Sequence, residues 1–182
     1  MEKYYLNKDE AVLLVIDIQE RMLPVIDKAD KVGQKNEVLI EAAKLLGVPI
    51  VVTEHNADGL GHTVDLLSSK MTEAKVFHKT TFSACNKEFL AYLKEMKRNK
   101  IIVTGTETHV CVFQTVRSLL DNGFSVFLVA DAVGSRTEMN LANAVSQMKD
   151  MGAVITNTET AVFDLLKESG TPEFKALLKL IK

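Results

Sequence analysis

Five short runs of almost unbroken apolar, mostly β-branched residues constrain this chain most. They are AVLLVI at 11–16, PIVVT at 49–53, AKVF at 74–77, KIIVT at 100–104 and SVFLVA at 125–130, with a weaker sixth, AVIT, at 153–156. A strand with one wet face alternates apolar and polar residues, whereas a run without a polar phase is covered on both faces. The segments between the runs have helical period. Leu39, Ala42, Ala43 and Leu46 keep the i, i+3, i+4, i+7 spacing of one helix face, and Gly47 and Pro49 then supply a stop. Leu141, Ala144, Val145 and Met148 repeat the pattern before Gly152. Near the end, Thr171 reads as an N-cap with Pro172 in the first turn, followed by an apolar stripe of Phe174, Leu177, Leu178 and Ile181. This alternation predicts an α/β fold with a parallel six-stranded sheet and helices on both faces. With 182 residues, 47% of them hydrophobic, and no linker or repeat, residues 1–182 are expected to form one domain.

Composition removes several function classes. A net charge of −2 without long like-charge runs gives no electrostatic footprint for nucleic acid or an acidic membrane surface. The opening MEKYYLNKDE is polar and charged, and no apolar stretch approaches a membrane span, so a cytoplasmic location is expected. Cys85 and Cys111 are too few and too far apart for a disulfide framework, and no CxxC occurs, so both are expected as reduced thiols. Gly59 and Gly61 open a GxG, but Val64 stands where a third glycine is needed, and no GxxxxGK is present. No nucleotide cofactor is expected.

Three residues at strand ends carry the chemistry. Asp17 follows AVLLVI, Lys79 follows AKVFH, and Cys111 lies in the GTETHVC loop after IIVT. In open α/β sheets the carboxyl ends of strands gather residues that are distant in sequence around one ligand. A thiol, a carboxylate and an ammonium brought together suit covalent hydrolysis, with a cysteine nucleophile, a base to take its proton and a cation to hold the charge. GTETHVCVFQTVRSLL reads as a strand end, a tight loop begun by Gly105 and then a helix. Cys111 is thus expected in a helix's first turn, where free amides and the dipole lower a thiol pKa.

The segments VIDIQ, FHKTTFSA and GTETHVCV resemble the three signature segments of the isochorismatase-like cysteine hydrolases, in the same order and at comparable spacing. TEHNADGLG, ETHVC and FKALLKLIK are most similar to the small isochorismatase-domain-containing subgroup. The resemblance implies a three-layer Rossmann-like sandwich with strand order 3-2-1-4-5-6 and a catalytic triad of Asp17, Lys79 and Cys111. It also implies a cis peptide between Thr106 and Glu107, an oxyanion hole from the amides of Glu107 and Cys111, and homo-oligomers. Around the triad, Gln19, Glu54, His55, Phe82, Thr106, His109 and Val110 are expected to form the pocket for a small-molecule substrate.

The metal-binding branch of this family places Asp-x-His after the second strand. Here Thr53, Glu54 and His55 stand there, with His62 further on, so no metal is expected. The resulting expectation is acyl transfer on a small amide, imide or related compound through a thioester. A noncatalytic binding protein on this scaffold and a redox-active thiol protein are the alternatives.

Overall fold

The computed structural model describes residues 1–181; Lys182, the last residue of the expected domain, lies outside them. Its strands are β1 (Ala11–Ile16), β2 (Ile50–His55), β3 (Lys75–Lys79), β4 (Lys100–Thr106), β5 (Ser125–Gly134) and β6 (Val154–Thr156). The helices are α1 (Ala29–Leu46), α2 (Ala57–Leu60), α3 (Asp65–Ser68), α4 (Lys87–Glu95), α5 (Phe113–Asp121), α6 (Glu138–Asp150), α7 (Thr158–Leu166) and α8 (Pro172–Ile181). The strands form one sheet in the order β3-β2-β1-β4-β5-β6, and every pairing is parallel. This is the expected Rossmann-like architecture.

The strands are apolar throughout because both faces are covered. Leu13 and Val15 of β1 pack with α1, α7 and α8, while Val12, Leu14 and Ile16 pack with α4, α5 and α6. Two separate hydrophobic layers therefore clamp the central strand. The helix stops act as read from the sequence: Gly47 caps α1 at φ 69°, and the Thr171 hydroxyl accepts from the Phe174 amide at the start of α8.

One feature departs from expectation. Several strands run further toward their carboxyl ends than their apolar runs, β2 to His55, β4 to Thr106 and β5 to Gly134, so polar residues of the site are themselves in the sheet. The α8 stripe is also used inside the subunit. Leu177 is fully buried, Phe174 stacks on Phe163 at 6.1 Å, and the helix lies on α1 and α7. Phe174, Leu178 and Ile181 are only partly buried there.

The order β2-β1-β4 sets the site. After β1 the chain builds outward in one direction to β2 and β3, and it returns to the other side of β1 with β4. The chain therefore leaves the carboxyl ends of the paired strands β1 and β4 in opposite directions, at the switch point of the sheet, where such folds open a crevice.

Candidate active site

Asp17 is the first residue past β1, and it sits at φ 50°, a left-handed conformation that Asp tolerates better than most residues. Neighbouring strands hold it there. Its amide donates to the Thr53 carbonyl at 3.0 Å, and its carbonyl accepts from the Thr106 hydroxyl at 2.7 Å. The turn aims the carboxylate into the crevice, where Oδ1 accepts from the Thr53 hydroxyl and Oδ2 from the Lys79 ammonium, each at 2.6 Å. Lys79, the last residue of β3, also donates to the carbonyls of Thr81 and Phe82 at 3.3 and 3.2 Å. The two side chains are only 3% and 2% exposed, so the ion pair is buried, and removing either partner leaves a buried charge uncompensated.

Gly105 makes the approach of β4 to β1 possible. At φ 116° it presses against the Ile16 backbone, and a Cβ there would fall on the Ile16 carbonyl. The next peptide, Thr106–Glu107, is cis. Cys111 follows in a five-residue π-helical turn, Thr108–Val112, in which the Val112 amide donates to the Glu107 carbonyl at 3.2 Å; α5 begins only at Phe113. The thiol is buried and feels the charges of both Asp17 and Lys79.

Its titration runs opposite to the helix-terminus expectation. Burial, reinforced by the Asp17 carboxylate and only partly offset by Lys79, pushes the Cys111 thiol up to about 12. Desolvation and a neighbouring negative charge both oppose the thiolate, and here they outweigh the local helical turn. Cys85 is also raised to about 12, by burial.

Asp17 and Cys111 open on a cavity of about 250 Å³. His55, Phe82, Thr106 and Val110, all named for the pocket, line it together with Glu107, and Met22, Asn56 and Leu60 complete the wall. Those last three follow strand ends in loops or in the short α2; Asn56 and Leu60 fall within TEHNADGLG, and Met22 has no sequence pattern to mark it.

The model of the isochorismatase domain matches residues 11–160, most of the chain. The secreted isochorismatase effector Isc1 of Phytophthora sojae is 40% identical over 177 residues, covering 94% of this chain and 84% of that protein. The chain belongs to the isochorismatase family. Among solved structures, the MAR1 ribonuclease from Caenorhabditis elegans is similar with a TM-score of 0.92 at 37% identity, covering 97% of this chain and 92% of that one. YcaC from Pseudomonas aeruginosa, solved with hexane-2,5-diol and covalent acrylamide, has a TM-score of 0.92 at 26% identity over 97% of this chain and 91% of its own. The YcaC gene product of Escherichia coli, described as an octameric hydrolase of unknown specificity, shares the fold at 24% identity and a TM-score of 0.92, covering 97% of this chain and 90% of its own.

Within this isochorismatase fold, three expected pocket residues stand behind the wall. The Gln19 side chain donates to the carbonyls of His55 and Gly61 at 3.1 and 2.6 Å and accepts from the His55 amide at 2.8 Å, so it braces the loop that carries His55. His109 pairs through Nδ1 with the Ser135 hydroxyl at 3.0 Å. Glu54 is buried and faces the other way. Its Oε1 accepts from the Thr63 amide and hydroxyl at 2.7 and 2.8 Å, and its Oε2 meets Nδ1 of His62 at 2.9 Å and of His78 at 3.4 Å. Burial raises the Glu54 carboxyl, but the bonds from His62 and Thr63 outweigh it and hold the group below its ordinary value. The bond to Glu54 and its charge raise His62 in return. His55 does not join this cluster; its ring lies against Phe82 at 5.4 Å. Among the described residues no three His, Cys, Asp or Glu side chains are placed to hold a metal ion, and no helix is long and apolar enough to cross a membrane.

Proposed function

We propose that this isochorismatase-family chain, acting over residues 1–182 as one hydrolase domain, cleaves a small amide or related compound by covalent catalysis at Cys111. The observation that carries the reading is the Asp17–Lys79 pair, buried at 2.6 Å beside a thiol that opens on a cavity. A thiol raised to about 12 rests protonated, and proton transfer to Asp17 makes it a nucleophile without adding a charge to the site. The thiolate attacks the carbonyl carbon, and the oxyanion is held by the amides of Glu107 and Cys111. Collapse breaks the C–N bond, with the Asp17 proton passing to the departing nitrogen, and leaves a thioester. Water then attacks, Asp17 takes its proton, and the acid and the free thiol are released. Lys79 keeps its place beside both charges.

The covalent acrylamide in the related YcaC supports a small amide as occupant. The ribonuclease name of the Caenorhabditis elegans relative finds no parallel in the cavity, whose lining contains no arginine or lysine. Both cysteines are free thiols, which suits a cytoplasmic protein, and the octameric relative supports homo-oligomers. Intact-mass analysis after incubation with a panel of small amides tests the mechanism. An acyl adduct on Cys111 is expected, absent in Cys111→Ala; hydrolysis that persists in Cys111→Ala refutes it.

A further inference from the structure

The turn that carries Cys111 is tied down on two sides. Toward β1, the Thr106 hydroxyl donates to the Asp17 carbonyl at 2.7 Å. The other side is held from the segment that follows β5. Strands β4 and β5 stay paired to their last residues, with Thr106 opposite Gly134, so Glu107 leaves the sheet beside Ser135 and Arg136. Oε2 of Glu107 accepts from both the amide and Nε of Arg136, each at 3.1 Å. Further along the turn, His109 meets the Ser135 hydroxyl through Nδ1 at 3.0 Å. The Glu107 carbonyl accepts from the amides of Val110 and Val112, at 3.0 and 3.2 Å. Glu107 therefore anchors the turn with its backbone and its side chain alike.

A carboxylate is an adverse neighbour for an oxyanion. The Glu107 side chain is only 7% exposed, and its covalent length keeps the charge within a few ångströms of its own amide. That amide is one of the two oxyanion donors in the proposed mechanism, on which this inference rests. An unpaired carboxylate so close, and so little screened by water, would oppose the negative charge that develops on the carbonyl oxygen. Burying it without a partner would also be costly in itself. Arg136 removes both difficulties, because its guanidinium cancels the charge while its amide and Nε fix one oxygen in place. The Arg136 side chain is 60% exposed and forms no part of the cavity lining, so its effect on the site passes through Glu107.

We propose that Arg136 is a positioning residue of the site: by pairing with Glu107 it lets a buried carboxylate anchor the Cys111 turn without opposing the oxyanion. Arg136→Met tests this, since it removes the cation and keeps the amide that also holds Glu107. Cys111 of the intact protein is alkylated with iodoacetate and with iodoacetamide, and the ratio of the two rates is measured. Both reagents use the same thiolate, so the ratio cancels its abundance and reports the charge around the thiol. The iodoacetate-to-iodoacetamide ratio should fall about fivefold or more in Arg136→Met, stay near its original value in Arg136→Lys, and return there when Glu107→Gln is added to Arg136→Met. Hydrolysis should lose about tenfold or more in kcat with little change in KM, because an uncharged amide acquires its charge only as the oxyanion forms. The double variant should recover most of that loss, whereas a purely structural brace would leave it as impaired as the single one. An unchanged ratio and kcat in folded Arg136→Met overturns the proposal, as does a double variant no better than Arg136→Met. The two readings fail separately. A shifted ratio in a protein whose Cys111 never acylates keeps Arg136 as the group that neutralises Glu107 and removes the mechanism; acylation of Cys111 with turnover indifferent to Arg136 does the reverse.

Discussion

Asp17→Asn should move turnover and thiol reactivity in opposite directions. Asparagine keeps the shape of the side chain and tolerates φ 50°, so the turn past β1 survives. The variant has no base, and hydrolysis should fall about 10³-fold or more. The Asp17 carboxylate, however, is one of the causes that raise the Cys111 thiol to about 12, and the remaining neighbour, Lys79, lowers it. At pH 8 a thiol at about 12 is about one part in 10⁴ thiolate. Removing one adjacent charge shifts a pKa by about 1–3 units, which multiplies the thiolate about 10- to 1,000-fold. A weaker base is also a poorer nucleophile, with a Brønsted slope of about 0.4–0.5, so the net gain in alkylation is about 3- to 60-fold. Burial, the largest cause, is unchanged. The assay is iodoacetamide labelling followed by peptide mass analysis, with Cys85 in the same molecule as the reference, since it is raised by burial with no contribution from Asp17. The exchange leaves the Lys79 ammonium buried without its partner, so stability should drop by about 3–5 kcal/mol, and circular dichroism must show a folded protein at the assay temperature. Labelling of Cys111 that is unchanged or slower relative to Cys85 would refute the reasoning, because Asp17 would then not be the charge that opposes the thiolate.

Gly105→Ala should destabilise by at least about 3 kcal/mol, a fall in Tm of about 6–12 °C, because its Cβ meets the Ile16 carbonyl; an unchanged melting curve contradicts this. The His62 ring should titrate above its ordinary 6.5 in NMR and return toward it in Glu54→Gln. The sign follows from both shifts. The raised His62 stabilises the fold at low pH and loses that effect as pH rises through its folded value; the lowered Glu54 stabilises above its unfolded value and loses that effect as pH falls through its folded one. Stability from this pair is therefore present between the two folded values. Exhaustive chelation should leave hydrolysis unchanged, and a loss restored by zinc or manganese would place a metal in the mechanism. Light scattering should give a mass several times 20.1 kDa at micromolar concentration; a monomer counts against homo-oligomers.

Much of the site was legible because strand ends in a parallel sheet converge whatever their separation in sequence. Asp17, Lys79 and Cys111 announce themselves as reactive side chains next to apolar runs, and the sheet brings them together. The error at Cys111 has a physical source. A loop followed by an amphipathic helix predicts a first turn with free amides, but the chain enters a π-helical turn and buries the thiol beside a carboxylate, and no local pattern reports burial. Glu54 and His55 illustrate the same limit. Adjacent residues of a strand point to opposite faces, and which face holds the cavity is a property of the sheet's neighbours.

The sequence by itself determined the layers, the strand starts and the limits of a few helices, since hydrophobic period, glycine stops and capping hydroxyls act over a few residues. It also determined that a thiol, a carboxylate and an ammonium would stand at the carboxyl ends of strands. Tertiary structure alone decided that Asp17 is spent on Lys79 and Thr53, that Gln19 braces His55 from behind, that Met22, Asn56 and Leu60 close the cavity, and that Leu177 of the α8 stripe is buried in its own subunit. Each of these depends on distances between segments far apart in the chain, and on the desolvation and charge that such proximity creates, quantities that no single stretch of sequence contains.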